Sequence, residues 1–166
     1  VLERASARET AARVAAGAVA RAFLRELGIE VWSFTAEVGG VAMDPVRATR
    51  SREEADASPL RCPDPEAEAA MVARIDEARS SGDTVGGVFE VVAHGLPIGL
   101  GSYVHWDRRL DAALAAAVMS INIVKGVEFG LGFEQTRRFG SAVHDVIEGR
   151  TDDGRWVHRT NNAGGL

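Results

Sequence analysis

The first helix that the chain predicts carries almost no polar face. Its start is marked by Ser6 and Glu9, whose Ser-x-x-Glu spacing fits a capping box, and its end by Gly28, a residue type that commonly terminates helices. Across Val14–Ala20 there is no charged residue on any face. Because a surface helix keeps a polar stripe, the pattern predicts a helix over residues 7–27 that is buried on both faces.

A second apolar helix follows in the latter half of the chain. Asp107 is predicted to cap it, and the sequence is uncharged and rich in alanine from Ala112 to about Ile121. The same reasoning predicts a helix over residues 108–121 that lies between other layers of the protein.

A third helix has the opposite character. Asp64 and Pro65 fit its N-cap and first helical positions, and its apolar residues lie on one face, which predicts an outer, amphipathic helix. Residues 41–63 are predicted to be an exposed, charge-dense excursion with a short helix after Ser51. Strands are predicted for residues 29–38, 84–94 and 124–129, and a hairpin for 146–160 with a type I′ turn at Asp153-Gly154.

These elements define a fold class. Strands and helices mix without a regular strand–helix–strand alternation, so an α+β fold is predicted. Two helices without a polar face further predict an inside-out layering, in which helices lie between sheets.

Composition and charge argue against several classes of protein, among them general nucleic-acid binders and disulfide-stabilised domains. The 166 residues are enough for one domain, and 19 Lys+Arg against 24 Asp+Glu give a net charge of −5, which argues against a general nucleic-acid binder. The single cysteine, Cys62, excludes a disulfide framework and a cysteine-based zinc site and fits a reducing compartment. Both ends, at Val1 and Leu166, are typical of a cut through a larger protein, the alternative being a processed but complete domain.

The strongest candidate for an anion site lies at the start of the first helix. Arg4, Ser6 and Arg8 cluster where backbone N–H groups point outward and the helix dipole favours negative charge. An ordinary solvated helix start fits the same three residues equally well, so spacing alone leaves both interpretations open.

Other chemistry-bearing residues give weaker signals. Lys125 is either a phosphate ligand or the point at which a buried helix reaches the surface. His144 and Asp145 are adjacent, which favours a structural loop over a general-base pair. The four histidines lack metal-ligand spacing, so no metal site is predicted. Gly99 and Gly101 lack the third glycine of a dinucleotide fingerprint.

Eight blocks of sequence, in order, resemble the chorismate synthase family. The first block, RASARETAARVAAG at residues 4–17, is similar to the family signature RxSxRETAxRVAxG. The later blocks are CPD at 62–64, GDTVGGVFE at 82–90, GLPIGLG at 95–101, LD at 110–111, MSINIVKGVEFG at 119–130, GSAVHD at 140–145 and TNNAGG at 160–165.

The resemblance implies a lyase of the shikimate pathway, which leads to the aromatic amino acids. Such an enzyme converts 5-enolpyruvylshikimate 3-phosphate to chorismate by a 1,4-anti elimination of phosphate, and it requires reduced FMN although the reaction has no net redox change. A cytoplasmic homotetramer of β-α-α-β sandwiches is also implied, with neither nucleic acid nor membrane as a partner. Residues 1–166 would then be the central portion of a single domain.

The resemblance also assigns residues. Arg4, Ala5 and Ser6 fall on the family's FMN-contacting stretch. Arg8 falls on an arginine that reaches the anionic groups of the substrate.

A second FMN-contacting pair falls on Asn122 and Ile123. The second position of that pair is usually alanine, so Ile123 is a departure whose bulk either crowds the flavin edge or reflects a rearranged loop.

The family's catalytic residues fall outside residues 1–166, so no catalytic residue is assigned to this chain. The 166 residues alone are therefore predicted to be inactive. Two hypotheses follow. The chain is either part of a working chorismate synthase, or a truncated, non-catalytic core that binds flavin or partner chains only.

Overall fold

The structure is a computed structural model that describes residues 7–44, 51–152 and 154–165. It combines helices with two small antiparallel sheets, which confirms the α+β class. The helices are α1 (Ala7–Glu26), α2 (Arg52–Ala57), α3 (Pro65–Ser81), α4 (Leu110–Met119) and α5 (Gly140–Val143). The strands are β1 (Glu30–Val38), β2 (Val41–Ala42), β3 (Gly87–His94), β4 (Ile147–Arg150) and β5 (Trp156–His158), and 3₁₀ turns span Trp106–Arg108 and Gly132–Arg137.

The chain divides into two compact units, each of which has its own sheet. One unit, called here the sheet unit, comprises Gly17–Leu96 with strands β1 to β3. The other, called the loop unit, comprises the start of α1 up to Ala16 together with residues 97–165, including α4 and the β4–β5 hairpin. None of the described helices is both long enough and apolar enough to cross a membrane.

The sheet unit contains the buried core. Its sheet has the order β2-β1-β3, and Phe34 on the central strand is only 1% exposed. Met71 on α3 is fully buried against the same cluster, while most charged residues of α3 are exposed, as an outer amphipathic helix requires. The predicted cap is confirmed, because the Asp64 side chain accepts hydrogen bonds from the backbone N–H groups of Glu66 and Ala67.

The excursion after β1 is not simply exposed. The short helix α2 follows Ser51, as predicted, and the Ser51 hydroxyl accepts the backbone N–H of Glu54. However, Met43, Ala55 and Cys62 are buried and belong to the core cluster. The prediction of an exposed excursion was therefore wrong at these positions, because its apolar residues cover one face of the sheet.

The end of α1 also follows its sequence signal. Gly28 has φ +75°, and its N–H donates to the carbonyl of Arg25 at 2.9 Å. The N–H of Ile29 donates to the carbonyl of Leu24 at 2.9 Å, which completes a Schellman motif. A Cβ on Gly95 would lie 2.1 Å from the carbonyl oxygen of Gly28, so this turn also needs a glycine from the start of the glycine-rich segment.

In the loop unit, two sequence predictions were wrong. Asp107 does not cap α4, because its carboxylate lies 2.6 Å from Nδ1 of His105 and the helix begins only at Leu110. Residues 124–129 do not form a strand, because no neighbouring strand among the described residues pairs with them. An apolar, β-branched run becomes a strand only where a partner satisfies its backbone groups.

The hairpin is confirmed, with Ile147 opposite His158 and Arg150 opposite Trp156. The Thr151 N–H donates to the Arg155 carbonyl at 2.8 Å, at the base of the connection between β4 and β5. Asp153 lies outside the described residues, so the predicted type I′ turn at Asp153-Gly154 stays a prediction.

In the single chain, α1 and α4 are not buried on both faces, and their predicted burial in the assembled protein stays a prediction. On α1, Val14 is 67% exposed and Val19 is 73% exposed. On α4, Ala116 is exposed and Leu114 is 41% exposed. An apolar helix is buried only where a second surface covers it, and the described residues of this chain do not supply that surface.

Candidate functional site

The start of α1 and the segment after α4, which both carry predicted FMN-contacting residues, are joined by a hydrogen bond in the loop unit. Nη1 of Arg13, in the first half of α1, donates a hydrogen bond of 2.8 Å to Oγ of Ser120, directly after α4. Nε of Arg13 donates to Oε1 of Glu9 at 2.6 Å, one turn earlier on the same helix. The Ser120 hydroxyl donates in turn to the Ala117 carbonyl at 2.6 Å. The start of α1 is therefore linked to the end of α4 by a chain of three hydrogen bonds, called here the Arg13 relay.

The turn that follows Ser120 has a strained backbone. The Val124 N–H donates to the Ile121 carbonyl at 3.3 Å, which places Asn122 and Ile123 at the two central positions of the turn. Ile123 has φ +75°, a value that type II turns require at their third position and usually assign to glycine. A β-branched residue rarely adopts this conformation, so the turn stores strain.

The side chain of Ile123 points away from the protein and is 90% exposed. Asn122 is exposed as well. Both residues of the predicted FMN-contacting pair are therefore accessible to a ligand. Ile123 affects the turn through its backbone conformation, because its side chain does not pack inside the turn.

The start of α1 is described only in part. Arg4, Ala5 and Ser6 lie outside the described residues, so the predicted capping box and the first three cofactor contacts stay predictions. Arg8 lies in the first turn of α1 and is exposed, as an arginine that binds an anion from solvent requires.

Glu9 contributes one unusual atom to the relay. Its Oε1 binds Arg13, whereas Oε2 is buried and has no hydrogen-bond partner among the described residues. A buried carboxylate oxygen without a hydrogen-bond partner is costly. The opposite charge of Arg13 offsets part of this cost.

Asp145 organises a second part of the loop unit. Its carboxylate accepts hydrogen bonds from the hydroxyl of Thr160 at 2.6 Å, from the backbone N–H of Asn162 at 2.6 Å and from the backbone N–H of Ala163 at 2.9 Å. Burial alone raises the pKa of Asp145, but these donors outweigh it and hold the pKa below the ordinary value of an aspartate. Asp145 is therefore a structural acceptor that stays ionised, and the loop interpretation of His144-Asp145 is the one the geometry supports.

The other candidates are dispersed. His144 and Lys125 are exposed. No group of three or more His, Cys, Asp or Glu side chains within the described ranges is close enough to hold a metal ion. Trp32 is buried with its ring 5.5 Å from that of Phe34, and Trp156 lies beneath the guanidinium of Arg150 at 3.9 Å.

Two open clefts do not coincide with the predicted residues. One, of about 420 Å³, lies in the loop unit, and the other, of about 440 Å³, lies in the sheet unit. Neither is lined by Arg8, Asn122 or Ile123. Asn122 and Ile123 are exposed and the side chains of Arg13 and Glu9 are partly exposed, so the turn is open to solvent.

Sequence reasoning missed Arg13 and Ser120 as a pair. The spacing of Glu9 and Arg13, four residues apart on a helix, could have indicated the first half of the relay. The second half joins residues 107 positions apart and has no local sequence signal.

Comparison of the sequence with known proteins identifies the family of this chain. The family model for chorismate synthase matches residues 1–166, so the chain belongs to the chorismate synthase family. The chain is 60% identical over 168 residues to the chorismate synthase of Acidothermus cellulolyticus, covering 99% of this chain and 42% of the relative. It is 56% identical over 170 residues to that of Thermobifida fusca, covering all of this chain and 43% of the relative.

A solved structure agrees with this assignment. A crystal structure of chorismate synthase superposes with a TM-score of 0.87 at 46% identity, covering 97% of this chain and 52% of the other. The chain thus spans less than half the length of the curated relatives named above and about half of the crystallised chain.

Proposed function

We propose that the complete protein is a chorismate synthase, a lyase that converts 5-enolpyruvylshikimate 3-phosphate to chorismate by 1,4-anti elimination of phosphate. The reaction belongs to the shikimate pathway and leads to the aromatic amino acids. The observation that carries the proposal is the Arg13–Ser120 hydrogen bond of 2.8 Å, because it joins the two sequence stretches whose family counterparts contact the cofactor. Family membership over the whole chain supports the same function.

The residues present fit reduced FMN as the cofactor. FMN carries a phosphate, the turn at Asn122 and Ile123 is exposed and follows Ser120, and Arg13 links Ser120 to the helix that bears Arg8 in its first turn. Backbone N–H groups and arginine at a helix start favour anions. Arg4, Ala5, Ser6, Asn122 and Ile123 are the proposed residues that would hold reduced FMN, whose chemistry when bound would be transient electron donation without net redox change.

Arg8 is proposed to bind an anionic group of the substrate. Its planar guanidinium offers several donors in a fixed geometry, which suits a phosphate or a carboxylate. The residues of this chain then bind and orient the substrate. No residue within 1–166 is assigned the general acid–base steps, so the 166-residue chain by itself is expected to give no turnover.

The assembly is proposed to be a cytoplasmic homotetramer in which residues 1–166 are the central portion of one β-α-α-β sandwich domain. The exposed apolar residues of α1 support this layering, since Val14, Val19 and Phe23 are each more than half exposed in the single chain. Surfaces of this kind are usually covered in a functional assembly.

An anaerobic assay tests the proposal. The complete protein is incubated with 5-enolpyruvylshikimate 3-phosphate and chemically reduced FMN, and both chorismate and released phosphate are measured. Equal amounts of the two products, absent when FMN is omitted, are expected. Residues 1–166 expressed alone serve as the matched control, and chorismate from that fragment would show that catalytic residues must be sought within it. No chorismate from the complete protein would refute the proposed activity.

A further inference from the structure

We propose that Arg13 is a positioning residue that holds the Asn122–Ile123 turn in place for the flavin, with Glu9 and Ser120 as its two anchors. Arg13 is not a proposed ligand contact. The inference rests on the proposed function and assigns a role to Arg13, which matches an arginine of the first family block but to which that block assigned no function.

The first observation is that the Arg13 guanidinium is bound at two of its nitrogens. Nε of Arg13 binds Glu9 and Nη1 binds Ser120, so two nitrogens of one planar group are fixed by partners on different elements. A planar group held at two nitrogens has little rotational freedom, unlike a lysine ammonium that holds one point. The position of Ser120 relative to the first turns of α1 is therefore set by Arg13.

The second step concerns the strain in the turn. Ile123 occupies a left-handed conformation that costs about 1–3 kcal/mol for a residue of this kind, and such conformations persist only where the surroundings hold them. The turn begins at the end of α4, where the Ile121 N–H donates to the Val118 carbonyl at 3.0 Å. Ser120 fixes that helix end through its bonds to Arg13 and Ala117, so the relay acts at the base of the strained turn.

The third step separates positioning from overall stability. The side chains of Arg13 and Glu9 are 42% and 27% exposed, and partly exposed ion pairs of this kind contribute little to the stability of a whole protein. Loss of the Arg13–Ser120 hydrogen bond alone leaves the Arg13–Glu9 pair in place, so it should change how the turn is presented to a ligand much more than it changes the melting temperature. This difference makes the role testable.

The experiment titrates FMN into the complete protein and follows flavin absorbance and fluorescence, which report binding without turnover. The variants are Arg13→Gln, Ser120→Ala and the double variant, with Arg21→Gln on the same helix as the control. Each single relay variant is expected to bind FMN about 5- to 30-fold more weakly, the loss that corresponds to one or two kcal/mol. The melting temperature of Ser120→Ala should stay close to that of the unaltered protein, because the Arg13–Glu9 pair remains.

The double variant decides whether the two residues act together. Because both substitutions remove the same hydrogen bond, the double variant should bind FMN no more than about twofold more weakly than the weaker single variant. Arg13→Lys should bind with intermediate affinity, since lysine can reach one anchor but not hold both. Arg21→Gln should bind like the unaltered protein.

Three results would overturn the inference. Unchanged FMN affinity in Ser120→Ala, which removes a single oxygen and is the variant least able to disturb folding, would contradict it. Losses that multiply in the double variant would show independent roles. If the unaltered complete protein bound no FMN, the proposed function would fail and this inference with it, whereas normal binding with insensitive variants would refute the inference alone.

Discussion

Asp145 accepts a hydrogen bond of 2.6 Å from the hydroxyl of Thr160, fifteen residues further along the chain. The same carboxylate accepts the backbone N–H groups of Asn162 and Ala163, so one side chain ties the segment after α5 to the segment after β5. The side-chain Nδ2 of Asn162 donates a hydrogen bond of 3.0 Å to the Val143 carbonyl. Two of the sequence blocks shared with the family, at 140–145 and 160–165, are therefore parts of one hydrogen-bonded structure.

The first prediction concerns Asp145→Asn. The amide keeps one acceptor oxygen but turns an NH₂ group toward at least one backbone donor, which leaves that donor unsatisfied. The free energy of unfolding is expected to fall by about 1–2 kcal/mol, as measured by urea denaturation of the complete protein. Asp152→Asn in the exposed hairpin loop is the matched control and should change stability by less than about 0.5 kcal/mol. Equal effects of the two substitutions would contradict the structural role of Asp145.

The second prediction is the pH dependence of that contribution. The pKa of Asp145 is depressed in the folded protein, so the ionised form stabilises folding above the ordinary aspartate pKa of about 3.9. The contribution is lost as the pH falls through the depressed folded value. The stability difference between the unaltered protein and Asp145→Asn should therefore be constant from neutral pH down to about 4.5 and should shrink below about pH 4. A difference that grows on acidification would show that the pKa is raised instead.

The third prediction concerns the reactivity of Cys62. Its side chain is only 2% exposed, and burial, together with the nearby carboxylates of Asp64 and Glu68, raises the pKa of the thiol. Labelling with an aromatic disulfide reagent at pH 8 is expected to be roughly 100-fold slower in the native protein than in urea, since every 1.4 kcal/mol of opening free energy is a factor of ten. Cys62→Ser supplies the blank. Rapid labelling without denaturant would mean that the core of the sheet unit opens readily.

What the sequence could predict depended on how local the signal was. The short helix after Ser51, the cap at Asp64 and the helix end at Gly28 each rest on contacts within a few residues, and all three predictions were confirmed. Residues 124–129 have the composition of a strand, but a strand needs a partner that no local pattern reports.

The candidate site shows the same division. Arg8, Asn122 and Ile123 were identified by resemblance, because the family motif is contiguous around each of them. The contact between Arg13 and Ser120 depends on the path of the chain across 107 positions and could not be read from either motif. The absence of charge over Val14–Ala20 of α1 is a local signal, but the surface that would cover this helix is not formed by the described residues.

The fourth prediction concerns Arg8→Lys in the complete protein. Lysine keeps the charge but loses the planar, two-pronged geometry, so productive binding of the anionic substrate should weaken while the fold is unchanged. A loss of about 1.5–3 kcal/mol corresponds to a decrease of roughly 10- to 150-fold in kcat/KM. Steady-state kinetics with reduced FMN measure this, with the melting temperature as a control for folding. A kcat/KM equal to that of the unaltered protein would mean that Arg8 is an ordinary solvated residue of the helix start.

The last prediction isolates the strain at Ile123. Ile123→Gly removes the steric penalty of the left-handed conformation, which is about 1–3 kcal/mol, but gives the unfolded chain more freedom, which costs up to about 1 kcal/mol. A net gain in the free energy of unfolding of about 1 kcal/mol is expected. Ile123→Val is the matched control, because valine is also β-branched and keeps the strain, and its exposed side chain loses little packing. Urea denaturation of both variants measures the difference, and a glycine variant less stable than the valine variant would show that the turn is unstrained. Because glycine also makes the turn less rigid, the Ile123→Gly variant should bind FMN severalfold more weakly although it is more stable. A gain in stability with a loss of affinity is expected wherever a strained turn is preorganised for a ligand.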